Sequence, residues 1–134
     1  MVFGRYDAHP DNKAAGEQDV TPEIVQRELE FAKEAIALAP QNQSPWNYLC
    51  GVLKRQQIPL TNLKAFAEQF ADLDKEDEVR SSHALDFLAD VYAEEKERER
   101  AGRALELLAR RYDPIRRNYW NWRRGRLGLG EVVG

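Results

Sequence analysis

Cysteine, methionine and histidine are nearly absent: the 134 residues include one cysteine, one methionine and two histidines. Cys50 has no second cysteine to pair with, so internal disulfides are excluded, and a reducing, cytoplasmic setting is the simplest inference. With the two histidines at His9 and His83, no set of side chains has metal-ligand spacing. No run approaches the roughly 18 apolar residues of a membrane span, and the N-terminal six residues lack a signal-peptide layout. Asn-Gly and Asp-Gly hairpin turns are missing, as is any convincing two-residue alternation, which removes the usual grounds for a sheet. Gly-rich phosphate loops and nucleophile elbows are missing too. Carboxylates are plentiful but sit in charged runs that suit a solvated helix face.

What the chain has instead is a repeated block. Pro40, Ser44, Trp46, Asn47 and Tyr48 are matched in turn by Pro114, Asn118, Trp120, Asn121 and Trp122. Both the prolines (114 − 40) and the Trp-Asn pairs (120 − 46) are 74 residues apart. Recurrence of a stop, a polar cap and a tryptophan points to stacked helical hairpins. Half of that spacing falls at Ser81-Ser82-His83, which predicts a degenerate middle copy with His83 in the tryptophan place.

Charge is uneven although the net is only −3. From Glu68 to Glu99, 12 acids and 4 bases leave −8, whereas from Arg110 to Arg126 seven arginines and one aspartate leave +6. The acidic stretch is expected to be a solvated face. The arginines, interleaved with Tyr119, Trp120 and Trp122, could hold phosphates and bases. With acidic flanks, a pI near 5.5 and no RNA-binding signature, nucleic acid ranks below pairing with carboxylates of a neighbouring helix or a partner.

Helices follow from caps and periodicity. Thr21-Pro22-Glu23 opens a helix whose apolar face is Val25, Leu29, Ala32, Ile36 and Ala39, stopped by Pro40. Ser44 is expected to cap a second one with Trp46, Leu49 and Leu53 inward, closed by Pro59. Leu63, Phe66, Ala67, Phe70 and Leu73 form a third stripe. Ser81 or Ser82 caps a fourth helix carrying Leu85, Leu88 and Tyr92. Glu94 and Arg98 have the spacing of an ion pair within one helix. Ala101, Ala104, Leu105 and Leu108 line a fifth, and Asn118 is expected to cap a sixth. The expectation is an all-α solenoid, a superhelical array of about three hairpins: a loop over 1–20, a repeat domain over 21–127 (repeats 21–58, 60–98 and 99–127), and a flexible tail over 128–134.

The Pro-x-Asn-x-Ser-x-Trp-Asn-Tyr segment resembles the repeat of protein prenyltransferase alpha subunits, those of farnesyltransferase and geranylgeranyltransferase type I. Residues 28–53 resemble the fourth repeat of that family throughout. Residues 87–92 (FLADVY), 104–107 (ALEL) and 113–123 (DPIRRNYWNWR) resemble its C-terminal repeats in order. The resemblance spans about residues 20 to 127 and implies a right-handed crescent wrapping a catalytic beta subunit. That subunit would hold the zinc (and magnesium where used), most of the isoprenoid pocket and most of the CaaX-peptide contacts. The diphosphate lysine of the family lies in earlier repeats, of which only Val2-Phe3-Gly4 resembles a remnant, so the chain corresponds to the C-terminal half of an alpha subunit. It carries no catalytic or cofactor residue and is expected to be inactive alone. The role implied is structural, in farnesyl or geranylgeranyl transfer to the cysteine of CaaX proteins; the alternative is a stand-alone protein-binding scaffold.

The concave side of the family's repeats faces the beta subunit, which makes Asn47, Tyr48, Asn121 and Arg123 the candidate partner-binding residues. Trp46 and Trp120 are assigned to packing between hairpins, because repeated residues usually serve the repeated contact. Missing neighbours would leave Val2, Phe3 and the helix after Thr21 apolar and exposed.

Overall fold

In the computed structural model, residues 21–129 are described; the expectations for residues 1–20, Val2 and Phe3 among them, and for most of the tail lie outside them. Six α-helices make three hairpins, with no strand among the described residues. Helix α1 (Pro22–Leu38) pairs with α2 (Gln43–Arg55). A 3-10 turn (Leu60–Leu63) running into α3 (Lys64–Glu68) pairs with α4 (Ser82–Glu94). Helix α5 (Arg98–Leu107) extends through a π turn (Leu108–Tyr112) and pairs with α6 (Arg117–Arg126). No helix among the described residues is long and apolar enough to cross a membrane.

The expected apolar faces are buried, with local exceptions. Leu29, Ala32 and Ile36 of α1 point inward, while Ala39 is the exposed C-cap. Leu85, Leu88 and Tyr92 of α4 are fully enclosed, as are Ala101, Ala104 and Leu108 on the third hairpin. The stripe from Leu63 to Leu73 is not one helix. Regular helix ends at Glu68, and Phe70 and Leu73 reach the core from the turns that follow. Two contacts take over the backbone there: the Phe70 carbonyl accepts from Arg80 N at 2.7 Å, and the Asp72 side chain accepts from Asp74 N at 2.9 Å. An aspartate that bonds its own backbone two residues on favours a turn over a continuing helix.

The caps agree in part with sequence expectation. Thr21 and Ser81 cap α1 and α4, accepting from Ile24 N and Ala84 N, each at 3.2 Å. The cap of α2 is Asn42, which accepts from Ser44 N at 3.1 Å, so Ser44 and Pro45 sit inside the first turn rather than at its start. Asn118 does not cap α6 either. A 3-10 turn (Pro114–Arg116) leads into that helix, and Asp113 accepts from Arg116 at the turn's entry.

The cap positions revise the register of the middle repeat. Asn42 to Ser81 is 39 residues (81 − 42), two more than half the tryptophan spacing. Trp46 lies four after its cap, and the residue four after Ser81 is Leu85, fully buried. Leu85, not His83, therefore takes the tryptophan place. The C-terminal ends repeat equally: Gln57 (φ 54°) and Lys96 (φ 65°) close α2 and α4 in the left-handed region, again 39 apart (96 − 57). The amide after each reaches back five residues, Ile58 N to Leu53 O at 2.9 Å and Glu97 N to Tyr92 O at 2.8 Å. Gly128 (φ 85°) closes α6 in the same way through Leu129 N and Arg124 O.

Because α4 ends at Glu94, Glu94 and Arg98 belong to different helices and do not form the expected pair. The Glu94 carboxylate instead accepts from Leu60 N at 3.2 Å and Thr61 N at 3.0 Å, satisfying amides at the start of the second hairpin.

Hairpins are tied to one another at their connections. Pro40 O accepts both the Trp46 indole N–H (2.9 Å) and the Ser81 hydroxyl (2.6 Å), and the Gln41 side chain accepts from Ser82 N at 2.8 Å. Between the second and third hairpins, Arg111 meets Asp77 at 2.5 Å, Arg103 pairs with Glu76, and the Tyr112 hydroxyl donates to Glu76 O. The arginine-rich stretch thus faces the acidic one, as pairing with a neighbouring helix requires.

Candidate partner interface

The second helices of the three hairpins carry most of the candidate residues. On α2, the period of 3.6 sends Trp46, Leu49 and Leu53 inward and leaves Asn47 exposed. On α4, the same period places His83, Asp86 and Asp90 on one side, across a cleft of about 60 Å³ from Asn47 and Cys50. From α6, Arg123 reaches this side. Its guanidinium bridges Asp86 at 2.5 Å and Asp90 at 2.8 Å while lying 5.5 Å from the Trp120 ring centre. The α2–α4–α6 side therefore runs Asn47, then the aspartate pair, then Arg123.

One cation serves two carboxylates here. Burial pushes the Asp90 carboxyl up, Arg123 pulls it down, and the like charge of Asp86 raises it again; the net direction is up. Burial works against the Arg123 charge, but the hydrogen bond and charges of Asp86 and Asp90 outweigh it and hold the guanidinium cationic. Burial and the same two aspartates push the Cys50 thiol up to about 11. Such a thiol is protonated, and so a weak nucleophile, at neutral pH. This side is built from fixed charges and amides: Asn47, Asp86, Asp90 and Arg123.

The remaining candidates are placed differently. Tyr48 turns toward α1, its ring edge-on to Phe31 at 6.1 Å and 39% exposed. Asn121 is half-buried on α6. Trp46 is buried against Phe66, Phe70 and Phe87 of the second hairpin at 6.0–6.2 Å. Trp120 is equally enclosed, its indole N–H donated to Asp113 O at 3.1 Å and the Arg116 guanidinium 5.1 Å from its ring. Sequence reasoning did not single out Asp86, Asp90 or Phe31. The i, i+4 spacing of the two aspartates was the available signal, hidden inside a stretch taken for a solvated face.

No family model matches the chain. It is 40% identical over 107 residues to the protein farnesyltransferase/geranylgeranyltransferase type-1 subunit alpha of Candida albicans, a match covering 80% of this chain and 35% of that protein. The subunit of the same name from Dictyostelium discoideum is 33% identical over 103 residues, 75% of this chain and 31% of the relative. Among solved structures, Candida albicans protein geranylgeranyltransferase-I complexed with GGPP superposes with a TM-score of 0.80 at 37% identity, covering 83% of this chain and 36% of that one. The chain spans about a third of the length of the curated relatives it matches. In sequence and in its helical-repeat fold, the chain belongs to the family of protein farnesyltransferase/geranylgeranyltransferase type-1 alpha subunits.

Proposed function

We propose that the chain serves as C-terminal repeats of the alpha subunit of a heterodimeric, cytoplasmic protein prenyltransferase, one that attaches a farnesyl or geranylgeranyl group to the cysteine of CaaX proteins. Its part is structural: the stacked hairpins present the α2–α4–α6 side to a beta subunit. The observation that carries this is the 40% identity over most of the chain to an alpha subunit of that name. The superposition on geranylgeranyltransferase-I supports it independently. Asn47, Tyr48, Asn121 and Arg123 are the proposed contact residues, with Arg123 oriented for that task by Asp86 and Asp90.

Among the described residues no group of three or more His, Cys, Asp or Glu could hold a metal ion. His83 has its Nε2 3.2 Å from Gln41 O. The zinc, and magnesium where the enzyme uses it, is assigned to the beta subunit, with the prenyl and peptide pockets. The experiment is co-expression of the chain with a geranylgeranyltransferase type-1 beta subunit, followed by affinity capture through the beta subunit alone. Stoichiometric capture of the chain is expected; its complete absence from the captured fraction would refute the pairing.

A further inference from the structure

An aromatic residue stands two after the inward packing position in every repeat: Tyr48 after Trp46, Phe87 after Leu85 and Trp122 after Trp120. The first two are used inside the array. Tyr48 lies edge-on to Phe31 of α1, and Phe87 is buried against Trp46. Trp122 is 56% exposed, and among the described residues its ring contacts lie on its own helix, with Tyr119 at 6.0 Å and the Arg126 guanidinium at 5.2 Å. Ile115, four residues before Tyr119, is 95% exposed and continues the same flank.

The place of this flank follows from its neighbours. Arg123 lies 5.7 Å from the Tyr119 ring centre and reaches Asp86 and Asp90 of α4, so the flank adjoins the α2–α4–α6 side. The chain leaves α6 elsewhere. Leu129 occupies the space that a side chain at Gly102 of α5 would fill, and Arg124 donates to Gly102 O at 2.6 Å from a point about 200° around the helix from Trp122. A cleft of about 270 Å³ opens between α4 and α6, lined by Ala89, Ala93, Leu105, Leu127 and Arg126; Asp90, also on it, is taken by Arg123. Among the described residues no carboxylate forms an ion pair with Arg126, whose guanidinium rests on the Trp122 ring.

We infer that Trp122 is the aromatic anchor of the beta-subunit contact: an apolar side chain of the beta subunit lies against the Trp122–Tyr119 stack, and a carboxylate beside it meets Arg126 at the cleft. This rests on the pairing proposed above and adds to it the residues that supply most of its strength. Tryptophan, tyrosine and arginine are the residues most enriched at binding hot spots, and here all three share one flank. Covering Trp122 and Ile115 removes apolar surface from water, and a carboxylate gives Arg126 an ion-pair partner. The occupant is the beta subunit because the flank is continuous, through Arg123, with the side assigned to that subunit.

Titration of the full chain against a purified geranylgeranyltransferase type-1 beta subunit tests this, with Trp122→Ala, Trp122→Phe and Arg126→Ala as variants. Leu38→Ala, at an exposed apolar residue of α1, is the control, and circular dichroism checks that helicity is unchanged. Trp122→Ala should weaken the complex by about tenfold or more and Trp122→Phe by less than about threefold. Arg126→Ala should weaken it by about fivefold and lose less affinity than the parent as salt is added. Leu38→Ala should bind like the parent. A parent chain that binds while Trp122→Ala binds equally well overturns the anchor and leaves the pairing standing, whereas a parent chain that does not bind overturns both. Loss of binding in Leu38→Ala equal to that in Trp122→Ala, or equal salt dependence for parent and Arg126→Ala, would also overturn the contact as described.

Discussion

Trp46 is enclosed by three phenylalanines and donates its N–H to Pro40 O, so truncation removes packing and leaves a carbonyl short of one donor. Trp46→Ala should cost roughly 3–5 kcal/mol in urea unfolding, the range for large buried aromatics; a change under about 1 kcal/mol would show that the hairpins do not pack through it. Arg123→Ala leaves Asp86 and Asp90 facing each other without their salt-bridge partner. Both aspartates are partly exposed, so screening limits the loss to roughly 1–2 kcal/mol. Proton linkage at this scale has a definite sign. Cys50 is raised to about 11 from 9.0, and Tyr92 to about 12 from 10.0, both first by burial. The folded state holds these protons longer than the unfolded chain. Their contribution is complete below pH 9 and is lost as pH climbs toward 12. Melting temperature should fall over that window, and iodoacetamide should alkylate Cys50 at pH 8 roughly a hundredfold more slowly in the folded chain than in urea. Equal rates would contradict the burial of the thiol.

At the scale of elements, the sequence was legible where a side chain makes its own local signal. Thr21-Pro22 and Ser81 announce helix starts, and both cap as expected. Asn42 competed with Ser44 two residues later, and pattern alone could not decide between two good capping residues. Helix ends were harder, because Gln57 and Lys96 take a left-handed conformation that sequence associates with glycine. That is why Glu94 and Arg98 looked like one helix; the middle repeat slipped by two residues because its cap lies 39, not 37, residues after that of the first. The stripe ending at Leu73 failed for a related reason: apolar spacing records burial, and a turn can bury Phe70 and Leu73 as well as a helix can. Two substitutions test this account of the elements. Ser81→Ala removes both the cap and the hydrogen bond to Pro40 O, and should cost about 1–2 kcal/mol. Lys96→Gly removes left-handed strain at a solvent-facing position and should stabilise the fold by roughly 0.5–1 kcal/mol. A destabilised Lys96→Gly variant would contradict the strain at that turn.

For the molecule as a whole, the repeat announced itself through two tryptophans 74 residues apart, and the all-α array of hairpins followed from that spacing. The candidate surface was only half legible. Asn47 and Arg123 stood out by repeat position and charge, but their convergence on Asp86 and Asp90 depends on how three hairpins stack, which no local pattern encodes. The whole-molecule account expects the chain alone to give no product from prenyl diphosphate and a CaaX peptide, even with zinc and magnesium supplied. Turnover above a protein-free control would place chemistry in these hairpins. The most direct measurement is the affinity of the purified chain for a geranylgeranyltransferase type-1 beta subunit, compared with a variant carrying Asn47→Ala, Tyr48→Ala and Asn121→Ala. The account predicts at least a tenfold weaker complex for the variant, about 1.4 kcal/mol or more, with helicity unchanged. A helical variant that binds as tightly as the parent would contradict the assignment of the second-helix side to the partner.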